Sequence, residues 1–310
     1  MTLVGGGVRP EPVVPLWRVA DATAPPERLA MLRILTGVFS LAYLLIRLPV
    51  FVQLTERESG FDGVGPAVLL SGPLPDGVVL ATIALTLGAG LAYTIGWRFR
   101  WLGPVFAVGF LALGSYRGSW GQLLHFENLV VLHLFVVALS PAADRWSIDA
   151  RRHPRVDRAA TAYGWPIALA ALVVVVTYVI TGVAKLRYGG LDWIAGDTLR
   201  NHVAYSAARL DLLGGDPSPI AGWVVRASWG WTPAAALTVA IELAAPVALL
   251  GGRIRTVWVA AVWLLHLGIA ATMLIVFPYP LFLVAFAPFY RVERLWTDRP
   301  LRLRGRAQAC

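Results

Sequence analysis

The chain has 310 residues, 57% of them hydrophobic and only 15% charged, with a mean hydropathy of +0.66; a soluble domain runs nearer half apolar and a quarter charged, so a disordered chain is excluded and an ordinary cytosolic enzyme disfavoured. Cys310 is the only cysteine, which excludes an intramolecular disulfide and a cysteine-based metal cluster. The net charge of +9 is explained in a membrane protein by arginine-rich cytoplasmic loops before nucleic acid is invoked, and no nucleic-acid partner is expected.

Residues 1–29 are punctuated by Gly and Pro and carry Arg9, Arg18 and Arg28. No apolar stretch follows a basic one near Met1, so this part reads as a cytosolic segment, with an interfacial helix as an option, rather than as a signal peptide. Apolar runs then recur at residues 29–54, 77–97, 101–115, 125–140, 165–186, 233–251, 257–276 and 279–290. About 20 residues are needed to cross the hydrocarbon layer. The third, fourth and last runs are short. The last follows Phe277-Pro278-Tyr279-Pro280, a helix-breaking segment, and reads as a short span, a re-entrant piece or a kinked continuation. The expected fold class is all-α: a polytopic integral membrane helical bundle of about eight transmembrane helices over residues 30–290, followed by a basic cytosolic tail at 291–310.

Loop charges test that count. With the N-terminus inside and eight crossings, 18 arginines fall on the inner side and six on the outer, with Arg33 and Arg47 inside the first run. If the last run does not cross, the bias vanishes. The expectation is therefore a multi-pass cell-membrane protein with both termini cytoplasmic and the bilayer as its first partner. The longest non-spanning stretch, residues 187–232, falls on the outer side. It holds Asp192, Trp193, a helical-looking piece from 197 to 213, and a return rich in tryptophan. Such a loop reads as an outer functional lid or as an interfacial helix with an aromatic belt.

Ionisable residues inside spans are costly and therefore few. Lys185, the single lysine among 27 basic residues, ends the fifth run. A lysine at a helix end snorkels to the interface, but arginine does so equally well. What lysine adds is an amine that burial can turn into a neutral base. His125 begins the fourth run and His133 lies two turns deeper, where a satisfied structural histidine is the simpler reading. Glu242 and His266 lie mid-span at similar depth in neighbouring runs, as a hydrogen-bonded functional pair or as a structural contact between helices. The turn Asp144-Arg145-Trp146-Ser147-Ile148-Asp149 reads as turn and cap chemistry. No metal-binding, nucleotide-binding or nucleophile-elbow motif is present, and no metal is expected.

Four segments resemble the horizontally transferred transmembrane (HTTM) domain, the module shared with vitamin K-dependent gamma-carboxylase. They are Gly182-Val183-Ala184-Lys185-Leu186 with Trp193 following, the His125 segment, the Trp146-Ser147-Ile148-Asp149 turn, and the His266 helix ending at Phe277. The glycine–x–x–lysine–leucine piece is the most specific. The resemblance implies that Lys185 is the base that deprotonates reduced vitamin K or menaquinone, with His125 and His266 as further catalytic residues. Trp193, Glu242 and His133 are then the expected cofactor-binding residues. In the carboxylase the quinol reacts with oxygen, and the strong base so formed removes a proton from the gamma carbon of a glutamate. The carboxylase also has a large extramembrane domain after its membrane part, whereas about 20 residues follow Tyr290 here. Bacterial relatives include membrane proteins required to mature a secreted killing peptide of the sporulation-delaying type. The expected function is thus quinol-dependent carboxylase- or epoxidase-like chemistry at an outward-facing site. The alternatives are a non-catalytic membrane partner of a secreted peptide and a small-molecule transporter, the last disfavoured by the lack of paired broken helices.

Overall fold

The computed structural model describes residues 16–57, 59–121, 127–152, 158–227 and 229–297. Among these residues every regular element is helical. The chain divides into two compact units, residues 20–170 with 290–297, and residues 171–289 with 16–19.

The first unit holds α1 (Pro26–Ile46), α2 (Asp76–Ile95), α3 (Phe99–Gly118) and α4 (Asn128–Ala138). α1 packs on α2, α2 on α3, α3 on α4 and α4 back on α1, so the four close around one core. Pro26 stands in the first turn of α1, where its missing N–H leaves nothing unsatisfied. Gly96 ends α2 at φ 67°, and the Trp97 N–H closes on the Ala92 carbonyl at 2.9 Å, a left-handed stop that favours glycine. The core is an aromatic series. Tyr93 packs against Phe99 and Phe106, Phe106 meets Phe110 edge-on, and Phe110 tilts against Tyr43, with centroids 5.3 to 6.1 Å apart. Arg33, wholly buried, donates to the carbonyls of Ala142 at 3.1 Å and Trp146 at 2.6 Å. That is how a guanidinium fits inside an apolar run: it serves backbone carbonyls of the non-helical turn that follows α4.

The turn between α4 and the next long helix does what its sequence suggests. Asp149 accepts from the backbone N–H groups of Arg98 and Phe99, both at 2.9 Å, and so caps the start of α3 from across the unit. The Ser147 hydroxyl accepts from the Ala150 N–H at 2.8 Å.

α5 (Ala160–Gly189) contributes residues 160–170 to the first unit and 171–189 to the second. The second unit adds α6 (Thr198–Leu212), α7 (Trp231–Leu243) and α8 (Gly252–Met273). The stretch 187–232 is not an open loop. α5 extends to Gly189, and short helices at Asp192–Ala195 and Ala221–Arg226 flank α6, which lies where the helical piece was expected.

Four helices, α1, α2, α5 and α8, are long and apolar enough to cross a membrane; the other runs differ for identifiable reasons. α3 has 20 residues but is diluted by Gly103, Pro104, Gly109 and Gly114 and carries an arginine near each end. α4 and α7 are apolar but have only 11 and 13 residues. After Leu243 the chain tightens into a 3₁₀ turn at Ala245–Leu250, because Pro246 has no N–H to continue α7. The first run breaks at Arg47, and Leu48–Val52 forms a separate turn with Pro49 near its start. The last run is a single turn at Pro278–Leu281 followed by a 3₁₀ piece at Val284–Phe289 containing Pro288. Of the expected N-terminal segment and basic tail, residues 1–15 and 298–310 lie outside the described residues.

Candidate functional site

On α5, Gly182, Lys185 and Gly189 are spaced i, i+3 and i+7 and share one face. The two glycines decide what reaches that face. A Cβ at Gly182 would lie 3.0 Å from Leu243 and 3.1 Å from the Glu242 Cβ, so its absence lets the end of α7 come against α5. A Cβ at Gly189 would lie 2.9 Å from that of Trp193. Glu242 and Trp193 therefore close on the lysine from neighbouring turns.

Lys185 Nζ donates to Glu242 Oε1 at 2.6 Å and to Oε2 at 2.8 Å. The same nitrogen lies 5.3 Å from the centre of the Trp193 ring, within the range of a cation–π attraction. Trp193 is itself buried in a small core with Ala235 and Val239 of α7, backed by Leu186, Ile194 and Leu199. The Lys185 side chain is 20% exposed and the Glu242 side chain 7%. A carboxylate so far out of water needs a cation close by. The pair can exist as ammonium and carboxylate or, after one proton moves along a short hydrogen bond, as neutral amine and acid. An arginine could not make that exchange.

His266 is buried on α8 in the same unit, but the expected hydrogen bond with Glu242 is replaced. Its Nδ1 donates to the Val262 carbonyl at 2.8 Å, and its ring stands edge-on to Tyr178 and Phe277 at 5.9 and 5.1 Å. The reason is local: the i−4 carbonyl satisfies one ring nitrogen, and an ammonium is a stronger partner for a carboxylate than a neutral imidazole. Both side chains are withdrawn from the surface, as expected of ionisable groups within apolar runs.

His133 belongs to the other unit. It is fully buried, and its Nε2 donates to the Ala170 carbonyl at 3.0 Å. His125 lies in 122–126, outside the described residues. Of the six residues singled out in the sequence, the structure thus joins Lys185, Glu242 and Trp193 directly and sets His266 in an aromatic cluster.

One buried polar cluster is not anticipated by the sequence patterns above. In the first unit Arg117 Nη2 meets Glu127 Oε1 at 2.9 Å, with side chains 5% and 6% exposed, and the Tyr43 hydroxyl donates to the same oxygen. Charge counting treats Arg117 only as an outer loop residue, and Glu127 is overshadowed by the histidine two positions before it. A signal is nonetheless present: an arginine ending one apolar run and a glutamate opening the next.

A family model described as the HTTM domain matches residues 23–293. No curated protein and no solved structure matches the chain.

Proposed function

The chain belongs to the HTTM domain family, and from that premise we propose that it is a membrane-embedded enzyme with a quinol-type site, in which Lys185 takes the proton of a quinol hydroxyl. The observation that carries this reading is the amine of Lys185 held by both oxygens of a buried carboxylate and faced by an indole ring. A reduced naphthoquinone of the vitamin K type supplies a weakly acidic hydroxyl and the electrons for reaction with oxygen. The residues suit such a group in chemistry: the Trp193 indole faces the amine, and the amine and carboxylate offer a place for one proton.

The roles follow from charge and reach. Transfer of one ammonium proton to Glu242 leaves a lone pair on Nζ, and the amine then accepts a proton from a hydroxyl set against Trp193. Glu242 keeps Nζ in place and carries the displaced proton. Low exposure keeps bulk water from competing for the lone pair. His266, with Nδ1 tied to Val262, keeps Nε2 as an acceptor in the same unit. This reading retains the orientation drawn from the arginines, with both termini cytoplasmic and the Lys185 end of α5 at the outer face.

The test uses the purified full-length protein in phospholipid nanodiscs, supplied with reduced menaquinone and oxygen, with quinone epoxide read by chromatography. Wild type is expected to form epoxide, and Lys185→Arg to form none above background while melting at the wild-type temperature. Absence of epoxide with wild type, or full turnover by Lys185→Arg, overturns the reading.

A further inference from the structure

A cavity of about 760 Å³ opens in the first unit where α3 begins and α4 ends. Its lining includes the apolar side chains of Pro104, Leu139 and Trp165 and the guanidinium groups of Arg100 and Arg158. Two carboxylates also line it, and both are engaged by the protein. Asp144 Oδ2 accepts from Arg158 Nε at 2.8 Å and from the Tyr163 hydroxyl at 2.9 Å. Both oxygens of Asp149 cap backbone N–H groups of α3.

The guanidinium groups nearby are in excess. Arg100 is exposed and lies over the Trp101 ring at 5.6 Å; Arg98 lies over Trp97 at the same distance. Neither guanidinium has a carboxylate partner among the described residues, and the same holds for those of Arg151 and Arg152 on the short Ile148–Arg152 helix, whose Ala150 lines the cavity. Trp97 and Trp101, 38% and 70% exposed, are the ring type that settles at headgroup level in a bilayer.

We propose that this cavity binds an anionic phospholipid of the arginine-rich leaflet, with the phosphate between Arg100 and Arg158 and an acyl chain along Pro104, Leu139 and Trp165. Charge complementarity selects the head: the Arg158 ion pair occupies Asp144 and the cap on α3 occupies Asp149, so the guanidinium groups of Arg98, Arg100, Arg151 and Arg152 leave a net positive charge there that attracts an anion. The apolar side chains select the tail, because a free phosphate would leave them uncovered. This site stands in a different unit from Lys185 and does not rest on the quinol reading.

The experiment is native mass spectrometry of the full-length protein released from mixed micelles containing equal amounts of phosphatidylglycerol and phosphatidylcholine. Wild type is expected to retain phosphatidylglycerol preferentially, and Arg100→Gln to lower that preference about five-fold, the usual effect of one arginine near a lipid surface. Arg100→Lys should restore most of it. Arg100 is exposed, so its variants test binding without disturbing the core. Equal retention of the two lipids by wild type, or an unchanged preference in Arg100→Gln, overturns the proposal. So does full displacement of the lipid by inorganic phosphate at matched concentration, which would mark a site for the free anion.

Discussion

Lys185 Nζ reaches both carboxylate oxygens of Glu242, at 2.6 and 2.8 Å, across 57 residues of chain. The contact pins the last turns of α5 to the end of α7, and it is the most directly testable feature of the molecule.

Removing one partner should cost far more than removing both. Glu242→Leu leaves an ammonium in an apolar site, and a loss of about 3–5 kcal/mol is expected. The double variant Lys185→Met with Glu242→Leu replaces the pair by apolar groups of similar size and should recover most of that loss. Thermal unfolding in detergent, read by fluorescence, checks both. A double variant that is stable yet forms no quinone epoxide separates the chemistry of the pair from its contribution to folding.

Gly182→Val should drive α7 away from α5, because its Cβ would already stand 3.0 Å from Leu243 before the branched methyls are added. Overpacking of this kind costs about 1–3 kcal/mol. A cysteine pair placed on the two helices and cross-linked in membranes would report the separation. Unchanged cross-linking of the variant would show that the glycine does not set the approach.

The cap on α3 makes a smaller and more local claim. Asp149→Ala removes acceptors from two N–H groups at once and should destabilise by about 1 kcal/mol. Asp149→Asn, which keeps one side-chain oxygen, should lose less. Hydrogen exchange of residues 98–102 is the sensitive readout, with faster exchange expected in the alanine variant.

Arg117→Met strips Glu127 of its cation and should cost about 3–5 kcal/mol, whereas Arg117→Met with Glu127→Gln should be milder. Melting temperatures of the two variants, compared in one detergent, check this; equal losses would show that the ion pair is not the source of the cost.

Helices are plainly legible in the sequence because apolar runs of about 20 residues have few alternatives, and residues 26–46, 76–95, 160–189 and 252–273 all form such helices. The sequence is less informative where proline and glycine act. Hydropathy does not register that Pro246, Pro278, Pro280 and Pro288 lack N–H groups, so runs of sufficient apolarity become turns and 3₁₀ pieces. Lys185, Trp193 and Glu242 are each visible as unusual residues, but their mutual contact is not. Depth alone pairs Glu242 with His266, whereas side-chain reach and charge pair it with Lys185. The informative residue there is Gly189, whose spacing from Gly182 and Lys185 marks a face cleared on both sides of a cation.

The closeness of the Trp193 ring to the Lys185 ammonium also gives the site an optical signal. On excitation an indole shifts electron density across its rings, so a fixed positive charge 5.3 Å from the ring centre changes the colour of its emission. Loss of that charge, by deprotonation or by movement of the amine towards a bound molecule, must alter the emission of this one residue. The chain has 13 tryptophans, and the difference spectrum between wild type and Trp193→Phe isolates the contribution of Trp193. The charge on the amine can thus be followed in real time by the protein's own fluorescence, with no dye attached.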